Sequence, residues 1–280
     1  VFENNFKINE LYVKILGKGV KEQVLEIKKL NESGVLTLVP RIVDFFEDLN
    51  AVVMERVKGY AFSKALFFYT LPVISSLYED RILGYMRKIG SELGRLHRFT
   101  KKGMLRIGDM NLSLITEVKS SPYLCTLIGA DLFESIQNKV EEIENERVPF
   151  VQIHRDPTPH NILVNGDDVF LVDFAFRLGA SFEDTLAFST GLELMENRLP
   201  FFSKFLLEKM KYLFFNHYEK SFHFPFEGNF WILLKLLRTL QQLIVYRRRS
   251  KNLKRYVIEC IDKRYLLKRV KELSLKLNLR

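Results

Sequence analysis

Cysteine is almost missing: the 280-residue chain holds two, Cys125 and Cys260, far apart and without metal-ligand spacing. That usage excludes a disulfide framework and a Cys-based zinc site, fits a reducing compartment, and predicts both thiols as small core side chains. Glycine (14) and proline (8) are also sparse against 47% hydrophobic residues, which excludes collagen-like and disordered classes. No uncharged apolar run approaches the ~20 residues needed to span a bilayer. The most apolar window, Ala65 to Tyr78, is interrupted by Pro72 and reads as buried helix or turn. No basic-then-apolar leader opens the chain, so a cytoplasmic location is expected. The first residue is Val1 rather than Met, so the true N-terminus is expected to lie upstream.

Acidic residues are scarce at one end only. From Trp231 to Arg280 there are 15 Lys or Arg against 3 Asp or Glu, leaving 28 basic and 31 acidic groups in residues 1–230. A nearly neutral body with a basic C-terminal fifth suits an anionic partner, either a charged substrate or an anionic membrane surface, or else a solvated helix face. No specific nucleic-acid partner is expected.

The pattern along the chain predicts an α+β protein. Leu11 to Leu16 reads as a strand, with Phe6-Lys7-Ile8 able to pair with it across Asn9-Glu10. Val20, Val24, Ile27 and Leu30 have helical spacing up to Ser33-Gly34, and Arg41 to Phe46 and Ala51 to Glu55 read as two further strands. After Lys58-Gly59 helical periodicity dominates, clearest over Arg81 to Phe99. It is interrupted at Val148 to Val172 by an apolar run, a polar loop, and a hairpin turning at Asn165-Gly166-Asp167-Asp168. The division expected is a β-rich N-terminal lobe over 1–58 and a helical C-terminal lobe over 59–280.

His154, Arg155, Asp156, Asn161 and Asp173 surround that hairpin. A tight hairpin brings the Asn161 and Asp173 ends together, so hard oxygen donors converge at one mouth, as Mg²⁺ beside phosphate requires. A carboxylate free of metal there can accept a proton from an attacking hydroxyl.

The run His154-Arg155-Asp156-Pro157-Thr158-Pro159-His160-Asn161 resembles the catalytic loop of protein-kinase-like enzymes, and Val172-Asp173-Phe174-Ala175 resembles their metal-binding Asp-Phe-Gly. Tyr12-Val13-Lys14-Ile15 is similar to the strand whose Lys holds ATP phosphates, and Val53-Met54-Glu55-Arg56-Val57 is similar to the hinge. The resemblance implies a two-lobed protein-kinase-like fold with ATP and Mg as cofactors. It implies Asp156 as the base on the acceptor hydroxyl, Asn161 and Asp173 as metal ligands, and the backbone of Glu55 and Val57 against adenine. Lys14 should be fixed by a Glu on the following helix, Glu26 first and Glu22 second. His154 is expected to brace the loop.

Departures from the pattern narrow the branch. Thr158 stands where protein Ser/Thr kinases carry Lys, and Phe182-Glu183-Asp184-Thr185-Leu186-Ala187 follows Asp173 too closely for a peptide-docking segment. That compaction, with Gly94-Arg95-Leu96-His97 ending a helix, resembles the aminoglycoside phosphotransferase and choline kinase-like family. Asp184 would then cap its helix and brace the catalytic loop. The implied activity is transfer of the ATP γ-phosphate to a hydroxyl of a small molecule, sugar or lipid-linked saccharide. The basic residues Lys235, Arg238, Arg247 to Arg249, Lys254-Arg255 and Lys263-Arg264 favour an anionic acceptor if they face the cleft. A protein Ser/Thr kinase and a non-catalytic nucleotide-binding scaffold are the alternatives, the latter because the residues before Lys14 contain no glycine for a phosphate-covering turn.

Overall fold

The computed structural model describes residues 11–69, 75–199, 204–224, 226, 228–247 and 253–279. Strand β1 (Leu11–Ile15), helix α1 (Lys21–Glu32), β2 (Ile42–Phe46) and β3 (Ala51–Glu55) follow in the expected order. The sheet runs β1-β3-β2, antiparallel throughout, with Lys14 opposite Val52 and Leu11 opposite Glu55. Helix α1 forms because Val24 and Ile27 share one face and are fully buried; it stops at Ser33, and Gly34 follows at φ 70, a left-handed conformation cheap only for glycine. The expected pairing of Phe6 to Ile8 lies outside the described residues.

Past Gly59 the chain enters a mostly helical body. Strand β4 (Tyr60–Ala61) leads into α2 (Phe62–Tyr69), then α3 (Ser75–Phe99), β5 (Gly103–Arg106), α4 (Ser113–Lys119), α5 (Pro122–Ile128), α6 (Ala130–Ile143) and β6 (Arg147–Ile153). The hairpin is β7 (Ile162–Asn165) and β8 (Asp168–Leu171), followed by β9 (Arg177–Ala180) and helices α7 (Ser181–Arg198), α8 (Lys204–Ser221), α9 (Gly228–Val245) and α10 (Leu253–Lys276). Its connection is two residues, Gly166 and Asp167, with Gly166 at φ 59. The Tyr85 hydroxyl and the Arg81 guanidinium both donate to the Gly166 carbonyl, at 2.7 and 3.0 Å, so α3 holds the turn. Of the apolar window around Pro72, residues 62–69 are helix, with Ala65 and Leu66 buried; residues 70–74 lie outside the described residues.

The core lies between α3, α7, α8 and α9. Gly90 and Gly94, one turn apart on α3, face the backbone of Phe214 and Tyr218 on α8 and let the two helices touch. Helix α9 is apolar around most of its surface because α4, α7 and α10 all pack on it. Two expectations need correction. Cys260 is exposed rather than core, because it sits on the outer face of α10, while Cys125 is partly buried. Strands β5 and β9 flank β6 antiparallel; their short sequences, Gly103–Arg106 and Arg177–Ala180, carry too little alternation to reveal them. Among the described residues no helix is long and apolar enough to cross a membrane.

Candidate active site

The polar loop between β6 and β7 is built around one carboxylate. Asp184, on the first turns of α7 and fully buried, accepts the backbone N–H of His154 through Oδ2 and of Arg155 through Oδ1, both at 2.7 Å. His97, at the end of α3, lies 3.2 Å from the same Oδ2 and receives the Tyr218 hydroxyl, at 2.5 Å, on its other ring nitrogen. The bond to Arg155 holds that residue at φ 78, a conformation costing a non-glycine residue ~1 kcal/mol or more. Asp184 therefore braces the loop, as the resemblance implied, but does not cap its helix. The capping bond belongs to Glu183, whose Oε1 accepts the Ala180 N–H at 3.0 Å, and Ala180 has no side-chain oxygen to return it.

His154 transmits this order to Asp156. Its Nε2 lies 2.7 Å from the Val172 carbonyl, which only accepts, so Nε2 carries the proton and donates. Nδ1 is then the acceptor for the Asp156 N–H, at 3.3 Å. Burial pushes the His154 imidazole below its ordinary range, which keeps this neutral tautomer near pH 7. The ring also stands edge-on to Phe174 at 5.4 Å. So the polar loop and the segment after β8 are joined through one imidazole.

Asn161 and Asp173 stand at the two ends of the β7–β8 hairpin, tied by the Val172 N–H donating to the Asn161 carbonyl at 2.9 Å. The Asn161 amide nitrogen donates to the Asp156 carbonyl at 2.9 Å and to its Oδ2 at 3.0 Å. That orientation leaves Asn161 Oδ1 as a free acceptor. Asp173 is exposed at φ 64, with buried Phe174 and Phe176 anchoring the chain beyond it. Ala175 is not among the positive-φ residues, which is why alanine is tolerated where the resemblance has glycine. The donor set of a carboxylate and an amide oxygen at one mouth fits a small hard cation.

Lys14 reaches across from β1, its Nζ 2.5 Å from Asp173 Oδ1 and 3.0 Å from the Phe174 carbonyl. It does not meet Glu26. Glu26 is turned toward β6, where its carboxylate accepts the Gln152 amide at 2.6 Å and Lys102 at 2.7 Å, and Glu22 is exposed on α1. The expected Lys–Glu pair is thus replaced by an ion pair between Lys14 and Asp173.

Glu55 and Val57 line a largely apolar cleft of about 250 Å³, together with Pro40, Met54, Leu163, Leu171 and Asp173. The Glu55 N–H is used by the Arg41 carbonyl at 2.9 Å and its carboxylate by the Arg41 guanidinium. The Val57 N–H bonds no described residue, so of the two it is the one left for a planar ligand.

On the far side of Asp156 are two further cavities, of about 410 and 140 Å³. The larger is lined by Ser113, Glu117, Arg155, Glu183 and Gln241, the smaller by Thr158, His160, Thr190, Arg198 and Tyr246, and both by Asp156, Arg238 and Gln242. Among the described basic residues of the C-terminal segment singled out in the sequence, Arg238 alone lines these cavities beside Asp156. Lys235 lies over the rings of Trp231 and Phe215, at 5.4 and 5.9 Å, where burial lowers its pKa to about 8. Arg264 is exposed on α10, while Arg248 and Arg249 lie outside the described residues. The roles of Ser113, Glu117 and Gln242 in these walls carried no sequence signal, since α4 and α9 meet Asp156 only through the fold.

No curated protein matches the sequence at a significant level. Among solved structures, a glucosamine kinase superposes with a TM-score of 0.68 at 15% identity, covering 94% of this chain and 75% of that one. A choline/ethanolamine kinase family protein from Mesorhizobium loti gives 0.53 at 16% identity, over 95% and 82% of the two chains. A choline kinase from Streptococcus pneumoniae gives 0.53 at 15%, over 95% and 87%. At these identities the likeness is one of fold, two-lobed and kinase-like. Residues 18–176, which include Asp156, Asn161 and Asp173 but begin after Lys14, match the phosphotransferase enzyme family, and the chain belongs to that family.

Proposed function

We propose that this phosphotransferase moves the γ-phosphate of ATP to a hydroxyl of a small molecule, sugar or lipid-linked saccharide, with Mg²⁺. The observation that carries this reading is the placement of Asp156 and Asp173. Asp173 lines the apolar cleft beside Glu55 and Val57, Asp156 lines the polar cavities opposite, and Asn161 stands between them. In the proposed arrangement a lobe over residues 1–58 and a body over 59–280 hold the nucleotide between them. Adenine lies against Met54 and Leu171, with the Val57 N–H as its donor, and Lys14 neutralises phosphate oxygens. Asn161 Oδ1 and the Asp173 carboxylate would hold Mg²⁺, which supplies charge neutralisation between the phosphates. Asp156 orients the acceptor hydroxyl and accepts its proton, its carboxylate steadied by the Asn161 amide.

A small acceptor is supported by the space after Asp173. The residues there form β9, which pairs with β6 from Phe150 to Ile153, and α7 begins at Ser181, so no open platform for a peptide exists there. One of the similar structures is a glucosamine kinase in complex with glucosamine, ADP and inorganic phosphate. Two finer parts belong to this reading: an anionic acceptor, and docking of the exposed Arg264, Lys268 and Lys271 of α10 on an anionic membrane surface. The second is tested by sedimentation with anionic vesicles, where retention that an R264Q/K268Q/K271Q variant keeps would reject it.

The deciding experiment is thermal shift with ATP, with and without Mg²⁺, on the wild type, Asp173→Ala and Asp156→Asn. Mg²⁺-dependent stabilisation lost in Asp173→Ala and retained in Asp156→Asn is expected. Absence of any ATP shift in the wild type would reject the nucleotide site.

A further inference from the structure

Arg238 stands beside the proposed catalytic carboxylate Asp156 without forming an ion pair among the described residues. It projects from α9 into both cavities that Asp156 lines. One guanidinium nitrogen donates to Gln241 Oε1 at 2.7 Å, while Nε is withdrawn from water and has no acceptor. Its neighbour in the smaller cavity, Arg198, shows the contrast: Arg198 is bound to Asp262 at 2.6 Å and to the Tyr246 hydroxyl at 3.2 Å. The carboxylates nearest in kind are otherwise engaged, Glu117 by the Gln241 amide at 3.1 Å and Glu183 by the Ala180 N–H at 3.0 Å. Burial pushes the Arg238 pKa down, against the pull of Asp156, Glu183 and Glu117. Guanidinium stays protonated regardless, so the site holds a partly desolvated positive charge with unused donors in a fixed fork. Such a fork is matched by the paired oxygens of a phosphate or carboxylate.

We propose that Arg238 receives an anionic group already present on the acceptor, so that the enzyme phosphorylates a hydroxyl of a sugar-sized molecule bearing a phosphate or carboxylate. The inference rests on the phosphotransferase reading and names the acceptor class of that same site. In the step itself the acceptor oxygen bonds to the γ-phosphorus, and the bond from that phosphorus to the β–γ bridging oxygen breaks. ADP leaves with the electron pair, and the hydroxyl proton passes to Asp156. The anion on Arg238 takes no part in bond making; it sets which hydroxyl stands at Asp156. Arg238 is a specificity residue, and its loss should appear in acceptor KM.

The test uses four probes on one hexose frame: glucose, glucosamine, glucose 6-phosphate and glucuronate. Each is measured by thermal shift without nucleotide and by ADP release with Mg-ATP, on the wild type, R238Q and R238K. The two anionic probes should stabilise the wild type and exceed glucose and glucosamine in kcat/KM by about tenfold or more, carried by KM. R238Q should abolish that preference and R238K should keep part of it. The ATP-induced shift of each variant reports whether it is folded with its nucleotide site intact. No shift or turnover with either anion, or preference for glucosamine, overturns the proposal. So does an equal fall of kcat on all acceptors in R238Q, which would place Arg238 on the transferring phosphoryl instead. A wild type that fails to bind ATP refutes the parent reading instead, which keeps the two failures distinct.

Discussion

Replacing the Asp184 carboxylate by an amide should unfasten the loop that carries Asp156 while leaving the rest of the protein folded. Asp184 accepts two backbone N–H groups at 2.7 Å and His97 at 3.2 Å, with the Asp184, His97 and His154 side chains buried. Hydrogen bonds to such a group contribute ~1.5–3 kcal/mol each, and a buried N–H left unpaired carries its whole desolvation cost. These contributions overlap, so Asp184→Ala should lose about 3–6 kcal/mol, close to the total stability of many domains. Asp184→Asn is the better probe. Its one carbonyl oxygen can serve either His154 or Arg155, and its NH₂ then faces the other N–H, for a loss of about 2–3 kcal/mol. The energy should appear locally, because the bond to Asp184 Oδ1 holds Arg155 at φ 78. Urea unfolding gives the global value, and hydrogen exchange of the peptide carrying His154 and Arg155 gives the local one. The expected outcome is loss of protection at these two amides with α3 and α8 still protected, and a fall in kcat on the order of a hundredfold as Asp156 drifts. Asp184→Asn with unchanged stability, within about 0.5 kcal/mol, and unchanged loop protection would refute the brace.

Gly90→Ala and Gly84→Ala should have opposite signs. A methyl at Gly90 would run into the Phe214 carbonyl and force α3 from α8, costing about 1–3 kcal/mol, whereas Gly84 has open space and should gain up to ~1 kcal/mol from helix propensity; chemical denaturation of the pair checks both. Acidification should weaken the fold: burial lowers the pKa of His154, His160 and His217, so below the ordinary value of 6.5 the unfolded chain binds protons that the folded one refuses. Unfolding free energy that stays level from pH 7.5 down to the histidine range near 5.5 would contradict this. Lys235→Met should stabilise at pH 7 by about 1–3 kcal/mol, since the buried amine is held at about 8 against 10.5 unfolded. Between those values the folded amine is neutral while the unfolded one is charged, so wild-type stability rises with pH there and the gain from Lys235→Met shrinks. A gain that is absent at pH 7, or grows toward pH 10, would count against burial as the cause.

What the sequence by itself determined was local. Runs of strand-forming residues placed β2 and β3, helical spacing placed α1 and most of α3, and Gly166 between two apolar runs placed the hairpin. Hairpin closure alone then brought Asn161 and Asp173 to one mouth, because strand pairing leaves no other arrangement. The tertiary structure decided whatever depends on two distant segments meeting. Lys14 went to Asp173 and Glu26 to Gln152 and Lys102, since the turn of α1 relative to β6 is set by core packing of Val24 and Ile27 and no spacing encodes it. The assembly of His97, Tyr218 and Asp184 joins three helices, α3, α8 and α7, which meet because glycines at 90 and 94 allow close contact. The proposed acceptor side was illegible for the same reason. Helix α9 is an apolar helix carrying scattered basic residues, and only its packing against α4 and α7 turned Arg238, rather than Lys235, toward Asp156. Residues that lie on one hairpin can be read along the chain; the cavity walls between helices, where the proposal places specificity, required the fold.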